Sequence, residues 1–238
     1  MLNFKDIIRS GCEDWGLPVS DAALTRMERF SDLLIEKNRV MNLTAVTEPP
    51  EIARRHMLDS LFLLTCASFS GIKVLDVGSG AGFPCVPLLS YDPSFDITPL
   101  DSTGKRMDFI RDACTELGVS VSPLTARAEE AAYGPLREQF DLVVSRAVAP
   151  LNILAELCLP FVRTGGLFLP MKTGGPEGES ELREAKSALA ALGGIFVSAR
   201  DYRIEGVEKP RQALLIRKER PTPEKYPRRY SKILDKPL

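Results

Sequence analysis

From Ile72 onward, short apolar segments alternate with segments of helical periodicity, and this alternation constrains the fold more than any other feature. The apolar segments are predicted strands, at 73–77, 95–100, 119–124, 141–145, 167–171, 195–199 and 213–217. Helical patterns near 105–117, after Pro150 and near 178–192 separate several of them. This order predicts an α/β fold, with a mostly parallel sheet and helices on both faces. Because no helical pattern separates the last two strands, we expect them to pair antiparallel at one edge.

The first 70 residues have the pattern of helices instead. Apolar residues recur at helical spacing within 4–15 and 24–34, and Pro49-Pro50 is typical of the start of another helix. We therefore predict three regions along the chain. They are an N-terminal helical extension (1–70), an α/β domain (71–218) and a basic C-terminal arm (219–238).

A loop with three glycines, Asp76-Val-Gly78-Ser-Gly80-Ala-Gly82-Phe83, follows the first predicted strand. Glycines let a backbone turn tightly and approach a ligand closely. The dinucleotide pattern G-x-G-x-x-G requires glycine where Phe83 stands. The spacing G-x-G-x-G, with an acid before it, suits S-adenosylmethionine, whose ammonium and sulfonium groups favour carbonyl oxygens and a nearby carboxylate. We predict that Gly78, Gly80, Gly82 and Phe83 bind this cofactor, the alternative being a tight strand–helix turn without a ligand.

Further candidates follow the next three strands. Asp101 ends the second strand, where its carboxylate is suited to accept two hydrogen bonds from a ribose diol, or alternatively to cap the helix near Lys105. Ala128 and Glu129 follow the third strand and are expected beside the adenine, while Arg146 follows the fourth. The carboxyl ends of parallel strands meet where the strand order reverses, so we expect one shared crevice there.

The charge of the chain is unevenly distributed. The whole chain has a formal net charge of -1, from 31 Lys and Arg against 32 Asp and Glu. Residues 209–238 contain ten Lys and Arg against three acids, a net charge of +7, so the other 208 residues carry -8. Tyr226 and Tyr230 lie among these basic residues. Such a stretch suits a polyanion, although a solvated basic tail that aids solubility remains an alternative.

Other residue types exclude several classes of protein. The five cysteines form no C-x-x-C pair and are odd in number, and His56 is the one histidine, so we expect neither a disulfide framework nor a metal site. The N-terminal sequence is unlike a signal peptide, and no run of about 18 apolar residues is present. We therefore expect a cytoplasmic protein without membrane attachment, and a monomer.

Several segments together resemble one known family. They occur in the order Asn42-Leu-Thr44, His56-Met-Leu-Asp59-Ser-Leu61, VLDVGSGAGFP, LDSTGKR, RAEE, VVSRAVAPL, Pro170-Met-Lys172 and TPEKYPRRYSKILDKPL. In this order they resemble the RsmG (GidB) family of bacterial 16S rRNA methyltransferases, from about residue 42 to the end. The glycine loop is common to many methyltransferases, whereas the His56, Arg146 and Tyr226 segments are more specific.

The resemblance implies a Rossmann-like class I methyltransferase sheet that uses S-adenosylmethionine to methylate N7 of a guanine in the small-subunit 16S rRNA. It implies that Arg127, Lys172 and Arg211 face RNA or the mouth of the site. It also raises a role near the site for His56, which otherwise either contacts RNA or braces the helical extension. The chain departs from the family pattern at Cys85, Pro99 and Thr173, and Pro99 predicts an irregular end to its strand.

The chemistry of N7 limits what the site needs. Guanine N7 has a lone pair and no proton, so no general base is required, and we predict no catalytic acid–base residue. An arginine that binds O6 and N7 together, as is common in guanine recognition, would block the nucleophile. We therefore expect Arg127, Arg146 and Arg211 to contact phosphates, O6 alone or the cofactor carboxylate. The guanine is expected to be held by stacking and by its Watson–Crick edge. Phe83 is one candidate for the stacking, although packing in the core or against the cofactor is favoured for this residue.

Overall fold

The structure, a computed structural model, describes residues 3–238. An N-terminal helical region consists of α1 (Phe4–Asp14), α2 (Asp21–Met41) and a composite helix. The composite helix begins with α3 (Pro49–Ile52), passes through a π-helical turn (Ala53–Leu58) into α4 (Asp59–Leu61), and ends in a 3-10 turn (Phe62–Thr65). Asn3 and Ser20 cap α1 and α2, because each side chain accepts a hydrogen bond from a first-turn backbone N–H.

Strands and helices then alternate as the sequence predicts. The strands are β1 (Lys73–Val77), β2 (Asp96–Asp101), β3 (Leu124–Thr125), β4 (Phe140–Arg146), β5 (Val162–Thr173), β6 (Gly194–Tyr202) and β7 (Arg211–Lys218). The helices are α5 (Cys85–Tyr91), α6 (Gly104–Glu116), α7 (Ala128–Ala131), α8 (Leu151–Cys158), α9 (Pro176–Glu184), α10 (Lys186–Ala191) and α11 (Tyr230–Asp235).

The strands form one seven-stranded sheet of order β3-β2-β1-β4-β5-β7-β6. The first five strands are parallel, while β7 is antiparallel to both β5 and β6. The antiparallel pairing expected for the last two strands is therefore confirmed. The strand order reverses between β1 and β4, so the loops that follow these two strands open a crevice between them.

Both faces of the sheet are covered, as the α/β prediction requires. Along β1, Val74 belongs to the core on one face and Leu75 to the core on the other, because successive side chains point to opposite faces. The first core includes buried residues of α1, α2 and the composite helix, such as Phe30 and Leu61, together with residues of α5 and α6. The N-terminal helices therefore pack directly on the sheet.

Three local predictions were wrong. The strand predicted at 119–124 is reduced to β3 at Leu124–Thr125, an edge strand, and Pro123 just before it has no N–H to offer a ladder. The single helix predicted near 178–192 is divided into α9 and α10. The irregularity predicted at Pro99 is missing, because the register of β2 on β1 passes through the Asp76–Pro99 pair without a shift.

The segment 219–238 packs against the domain. Tyr226 and Ile233 are buried in the second core, and α11 contacts α8. The guanidinium of Arg228 lies against the carboxylate of Glu156, with Nη2 2.6 Å from Oε2, and Glu156 is fully buried. Burial of an ion pair with several hydrogen bonds fixes the path of the segment, because either charge alone would be costly there.

Candidate active site

A cavity of about 440 Å³, which we call the main cavity, lies at the carboxyl ends of β1, β2 and β4. Most of the residues predicted from the sequence to bind the cofactor line it, together with two of those assigned to RNA. They are Gly78, Gly80, Phe83, Asp101, Ala128, Glu129, Arg146, Arg127 and His56. The location agrees with the general rule that open α/β sheets bind ligands where the strand order reverses.

The glycines of the loop have different surroundings. Gly78, Gly80 and Gly82 all have positive φ angles, of 75°, 55° and 97°. A Cβ atom at Gly80 would meet no protein atom closer than 3.8 Å, so it would project into open space beside the main cavity. A Cβ at Gly82 would instead lie 2.7 Å from Val86 Cγ2 and 3.2 Å from Phe30 Cζ. Gly82 is therefore placed behind the cavity wall, where it allows the loop to pack on α2 and α5.

Asp101 joins the glycine loop to the loop after β2. Its Oδ2 accepts a hydrogen bond from the N–H of Gly80 at 3.1 Å, and its Oδ1 accepts one from Thr103 at 2.9 Å. Arg106 Nη1 lies 3.5 Å from the same Oδ2. Thr103, and not Asp101, is the cap residue of α6. The carboxylate is buried but lines the main cavity, and each of its oxygens already accepts one hydrogen bond.

Asp76 lies beneath the loop. Its side chain is fully buried; Oδ2 accepts a hydrogen bond from the Cys85 N–H at 3.2 Å, and Oδ1 has no hydrogen-bond partner among the described residues. Burial raises the pKa of this carboxyl to about 7. A positive charge bound against the loop would lower that pKa again and stabilise the anion.

Arg146 is held by a buried network at the end of β4. Its Nη1 lies 3.0 Å from Asp59 Oδ2 and donates a second hydrogen bond of 3.0 Å to the carbonyl oxygen of Arg55. Asp59 is only 2 % exposed; it also accepts a hydrogen bond from the hydroxyl of Tyr202 at 2.7 Å and lies 3.7 Å from Arg211 Nε. Burial, together with this carboxylate, raises the pKa of the Tyr202 hydroxyl, so Tyr202 remains a donor. The network fixes the guanidinium at the wall of the main cavity.

His56 and Phe83 form a packed aromatic pair on the same wall. Their ring centroids are 4.5 Å apart; Phe30 packs behind Phe83, and the Arg146 guanidinium lies 4.9 Å from the centre of the Phe83 ring. His56 Nε2 lies 3.0 Å from the hydroxyl of Thr44. Burial and the nearby charge of Arg146 lower the pKa of His56 to about 4, so the imidazole is neutral at pH 7. Phe83 is 4 % exposed and is enclosed by its neighbours, so it offers no open face for a base.

The C-terminal segment supplies one side of the cavity mouth. Tyr230, the first residue of α11, lines the main cavity, and the guanidinium of Arg127 lies 4.7 Å from the centre of its ring. Arg127 Nε also donates a hydrogen bond to Glu129 at 3.1 Å. The basic arm therefore passes the rim of the site at Tyr230 and brings the exposed Arg229 and Lys232 close to it.

Lys172 and Arg211, also assigned to RNA, lie elsewhere. They line a second cavity of about 160 Å³, which adjoins the main cavity because Arg146 and Ala147 line both. Lys172 Nζ donates a hydrogen bond to the carbonyl oxygen of Ala149 at 2.7 Å. The Nε of Arg211 is buried and has no hydrogen-bond partner among residues 3–238.

Sequence reasoning missed or underrated several residues. It named Asp59 only as part of a segment that resembles the family, whereas Asp59 anchors two arginines and a tyrosine. Glu181, Tyr202 and Tyr230 received no role in the site. Their contacts join segments far apart in the chain, so local spacing contains no signal for them; for Tyr230, its place in the YPRRY segment was the one indication.

Residues 3–238 contain neither a cluster of metal ligands nor a helix that could span a membrane. Within residues 3–238, no three His, Cys, Asp or Glu side chains are grouped so that they could hold a metal ion. In the same range, every helix is too short or too polar to cross a lipid bilayer.

Comparison with known proteins shows the family of the chain. The sequence model of the GidB family, described as rRNA small subunit methyltransferase G, matches residues 23–206. The chain is 39% identical over 98% of its length to the Ribosomal RNA small subunit methyltransferase G of Alkaliphilus metalliredigens, covering 98% of that protein. It is 41% identical to the protein of the same name from Lachnoclostridium phytofermentans, over 96% of this chain and 95% of that one.

Solved structures show the same fold at low sequence identity. The PH0226 protein of Pyrococcus horikoshii aligns with a TM-score of 0.55 and 17% identity, over 77% of this chain and 99% of that one. M. jannaschii TYW2, solved in complex with AdoMet, aligns with a TM-score of 0.52 and 13% identity, over 63% of this chain and 71% of that one. The family match and the full-length relatives together lead to one assignment. The chain belongs to the ribosomal RNA small subunit methyltransferase G (GidB) family.

Proposed function

We propose that this protein is an S-adenosylmethionine-dependent methyltransferase that methylates N7 of a guanine in the 16S RNA of the small ribosomal subunit. The observation that carries the proposal is the main cavity. It combines a three-glycine loop with the carboxylates of Asp101 and Glu129 at the strand-order reversal, in a chain of the GidB family.

The residues around the main cavity fit the proposed cofactor. Gly80 leaves space that a single Cβ would fill, which suits a ligand lying along the loop. The buried Asp76, with one carboxylate oxygen unpartnered among residues 3–238, provides negative charge beneath the loop for a cationic group. Asp101 and Glu129 would hold the ribose and the adenine. A pyrophosphate fits less well, because two carboxylates line the cavity and Phe83 stands where a dinucleotide loop requires glycine.

When bound, S-adenosylmethionine supplies an electrophilic methyl group on a positively charged sulfur. The contribution of this chain is to bind and orient. The network of Asp59, Tyr202 and Arg55 keeps the Arg146 guanidinium at the boundary between the two cavities. Correct placement of two reactants can supply roughly 7–11 kcal/mol of the barrier reduction in favourable cases. Arg146 is therefore proposed as a residue that positions groups at the junction of cofactor and RNA.

Methylation of N7 needs no general base, and His56, the one histidine, is not assigned that role. His56 has its pKa lowered to about 4 by burial, and its Nε2 lies beside the hydroxyl of Thr44. Packed against Phe83, the imidazole acts in this proposal as part of the wall, and its role is to shape the main cavity.

The basic C-terminal segment supports RNA as the substrate. Arg228 is used to anchor the segment, but Lys225, Arg229 and Lys232 are exposed. Since Tyr230 lies at the mouth of the main cavity, the positive charges beside it are placed to hold a phosphate backbone as it enters. We also propose that the protein is a monomer and works in the cytoplasm.

Methyl transfer with labelled cofactor tests the proposal. Small ribosomal subunits from cells that lack the enzyme are incubated with the protein and methyl-labelled S-adenosylmethionine. We expect label in the 16S RNA, and we expect calorimetry to detect binding of S-adenosylmethionine but not of NAD. Arg146→Ala is expected to reduce transfer at least tenfold. The control is Glu179→Gln, an exposed change on α9, which is expected to keep full activity.

Two other functions predict different results in the same assay. A ribosome-associated protein without catalytic activity would bind the subunits but leave them unlabelled. A methyltransferase for small molecules would bind the cofactor but would also leave the RNA unlabelled. Full methylation by Arg146→Ala would show that the proposed role of this arginine is wrong.

A further inference from the structure

The second cavity combines charges of both signs beside the reaction site. The residues that matter here are Asp59, Arg146, Lys172, Glu181, Tyr202 and Arg211. Its volume of about 160 Å³ has room for one planar base. Because Arg146 and Ala147 line both cavities, a base held here lies next to the contents of the main cavity.

The side chain of Glu181 lines this cavity, and one of its carboxylate oxygens contacts neighbouring protein groups. Its Oε1 accepts a hydrogen bond from the N–H of Leu151 at 2.6 Å and lies 2.5 Å from Lys172 Nζ. Both recorded contacts within residues 3–238 use Oε1, which leaves Oε2 available as an acceptor. Helix α9 comes this close to the sheet because of Gly178, where a Cβ would collide with the carbonyl oxygen of Thr173.

Arg211 offers the complementary group. Its Nε is buried without a hydrogen-bond partner among the described residues, although Asp59 lies 3.7 Å away. A buried donor without a partner is costly, and a ligand atom that accepts from it would remove that cost. Lys172 provides a second cation, already oriented by Ala149 and Glu181.

This set of donors and acceptors matches guanine and not adenine. The Watson–Crick edge of guanine donates from N1 and N2 and accepts at O6, whereas adenine donates from N6 and accepts at N1. The available Oε2 of Glu181, beside cationic donors, therefore complements guanine, whose neighbouring N1–H and N2 amino group both donate to it. A guanine with this edge toward Glu181 turns N7 away from Glu181.

Given the proposed function, on which this step rests, we infer that the second cavity receives the target guanine and that Glu181 determines specificity by accepting hydrogen bonds from N1–H and the N2 amino group. Arg211 and Lys172 then contact O6 and leave N7 unobstructed. No proton moves in this recognition step.

The test replaces the target guanosine by inosine, which lacks the N2 amino group. The target position is first mapped with the wild-type protein, and small subunits are then rebuilt on 16S RNA with guanosine or inosine at that position. We expect wild-type kcat/KM to be about tenfold lower for inosine. For Glu181→Gln we expect kcat/KM on guanosine to fall at least tenfold. The guanosine preference, which is the ratio of kcat/KM on guanosine to that on inosine, should drop below about threefold. The Kd for S-adenosylmethionine should change less than twofold.

Glu179→Gln on the same helix is the matched control, with an unchanged guanosine preference expected. Equal rates on inosine and guanosine for the wild type would overturn the inference, whether or not the Glu181 variant folds. A Glu181→Gln variant that binds the cofactor normally and keeps the full guanosine preference would overturn it too. Failure of the proposed function looks different, because the wild type would then methylate neither substrate.

Discussion

Alanine at Gly80 and alanine at Gly82 are expected to have opposite consequences, although the two glycines are two residues apart in one loop. At Gly80, φ is 55°, in the left-handed region, where a non-glycine residue costs about 1 kcal/mol. No protein atom lies within 3.8 Å of the new Cβ, so no further packing cost arises. For a chain of this length, about 1 kcal/mol lowers Tm by about 2–4 °C. The methyl group, however, stands beside the main cavity and obstructs a ligand on the loop.

At Gly82 the cost falls on the fold. Its φ of 97° is strained for alanine, and the new Cβ lies 2.7 Å from Val86 and 3.2 Å from Phe30, both fully buried. Strain of about 1 kcal/mol and overpacking of about 2 kcal/mol give about 3 kcal/mol in total, which lowers Tm by about 6–12 °C. Gly82 does not line the main cavity, so the protein that remains folded should bind the ligand almost normally.

Thermal unfolding and titration calorimetry with S-adenosylmethionine measure the two effects separately. Gly80→Ala should weaken binding at least tenfold with a small change in Tm, and Gly82→Ala should lower Tm strongly while Kd changes less than threefold at a temperature where the variant is folded. Binding by Gly80→Ala that equals the wild type would show that the ligand does not lie along this loop. A large loss of affinity in Gly82→Ala without a loss of Tm would refute the reasoning about packing.

Three further predictions concern charged groups. The pKa of His56 in the folded state, about 4, lies below its unfolded value near 6.5, so the unfolded state binds more protons between these two values. The free energy of unfolding should therefore fall as the pH drops from about 6.5 to about 4. In urea unfolding, His56→Gln should make this dependence of the free energy on pH less steep. Asp59→Ala should lower the free energy of unfolding by about 3–5 kcal/mol, because it leaves the Arg146 charge buried and unpaired, and Asp59→Asn should lower it less. Arg228→Ala should lower the free energy of unfolding by a similar amount, because it leaves the buried Glu156 carboxylate without its partner, and urea unfolding also measures this loss. Lys225→Ala, at an exposed residue, should leave the stability unchanged and reduce the salt dependence of RNA binding.

Much of the fold was predictable because it depends on local pattern. The strand predicted at 73–77 matches β1, and the glycine loop, Asp101 and Arg146 all follow strands that the alternation of apolar segments identifies. Since parallel strands end at the same edge, strand order alone brings these loops together. The edge strand β3 was poorly predicted because an apolar residue such as Val119 is equally compatible with burial under a helix.

The sequence could not show which segments, far apart in the chain, come together to form each of the two cavities. The network around Asp59 joins the composite helix to β4, β6 and β7, and no local spacing relates these residues. The same is true of Glu181 on α9 beside Lys172 on β5. Lys172 and Arg211 could be assigned to RNA by resemblance, but only the structure separates their cavity from the one beside the glycine loop.

The most direct test of the central claim is the identity and position of the methylated nucleoside. Small subunits from cells without the enzyme are treated with the protein and S-adenosylmethionine, and the 16S RNA is then digested and mapped by mass spectrometry. The proposed function predicts one new 7-methylguanosine, present with the wild-type protein and at least tenfold reduced with Arg146→Ala. Unmodified guanines, or a methyl group on another atom or another base, would contradict it.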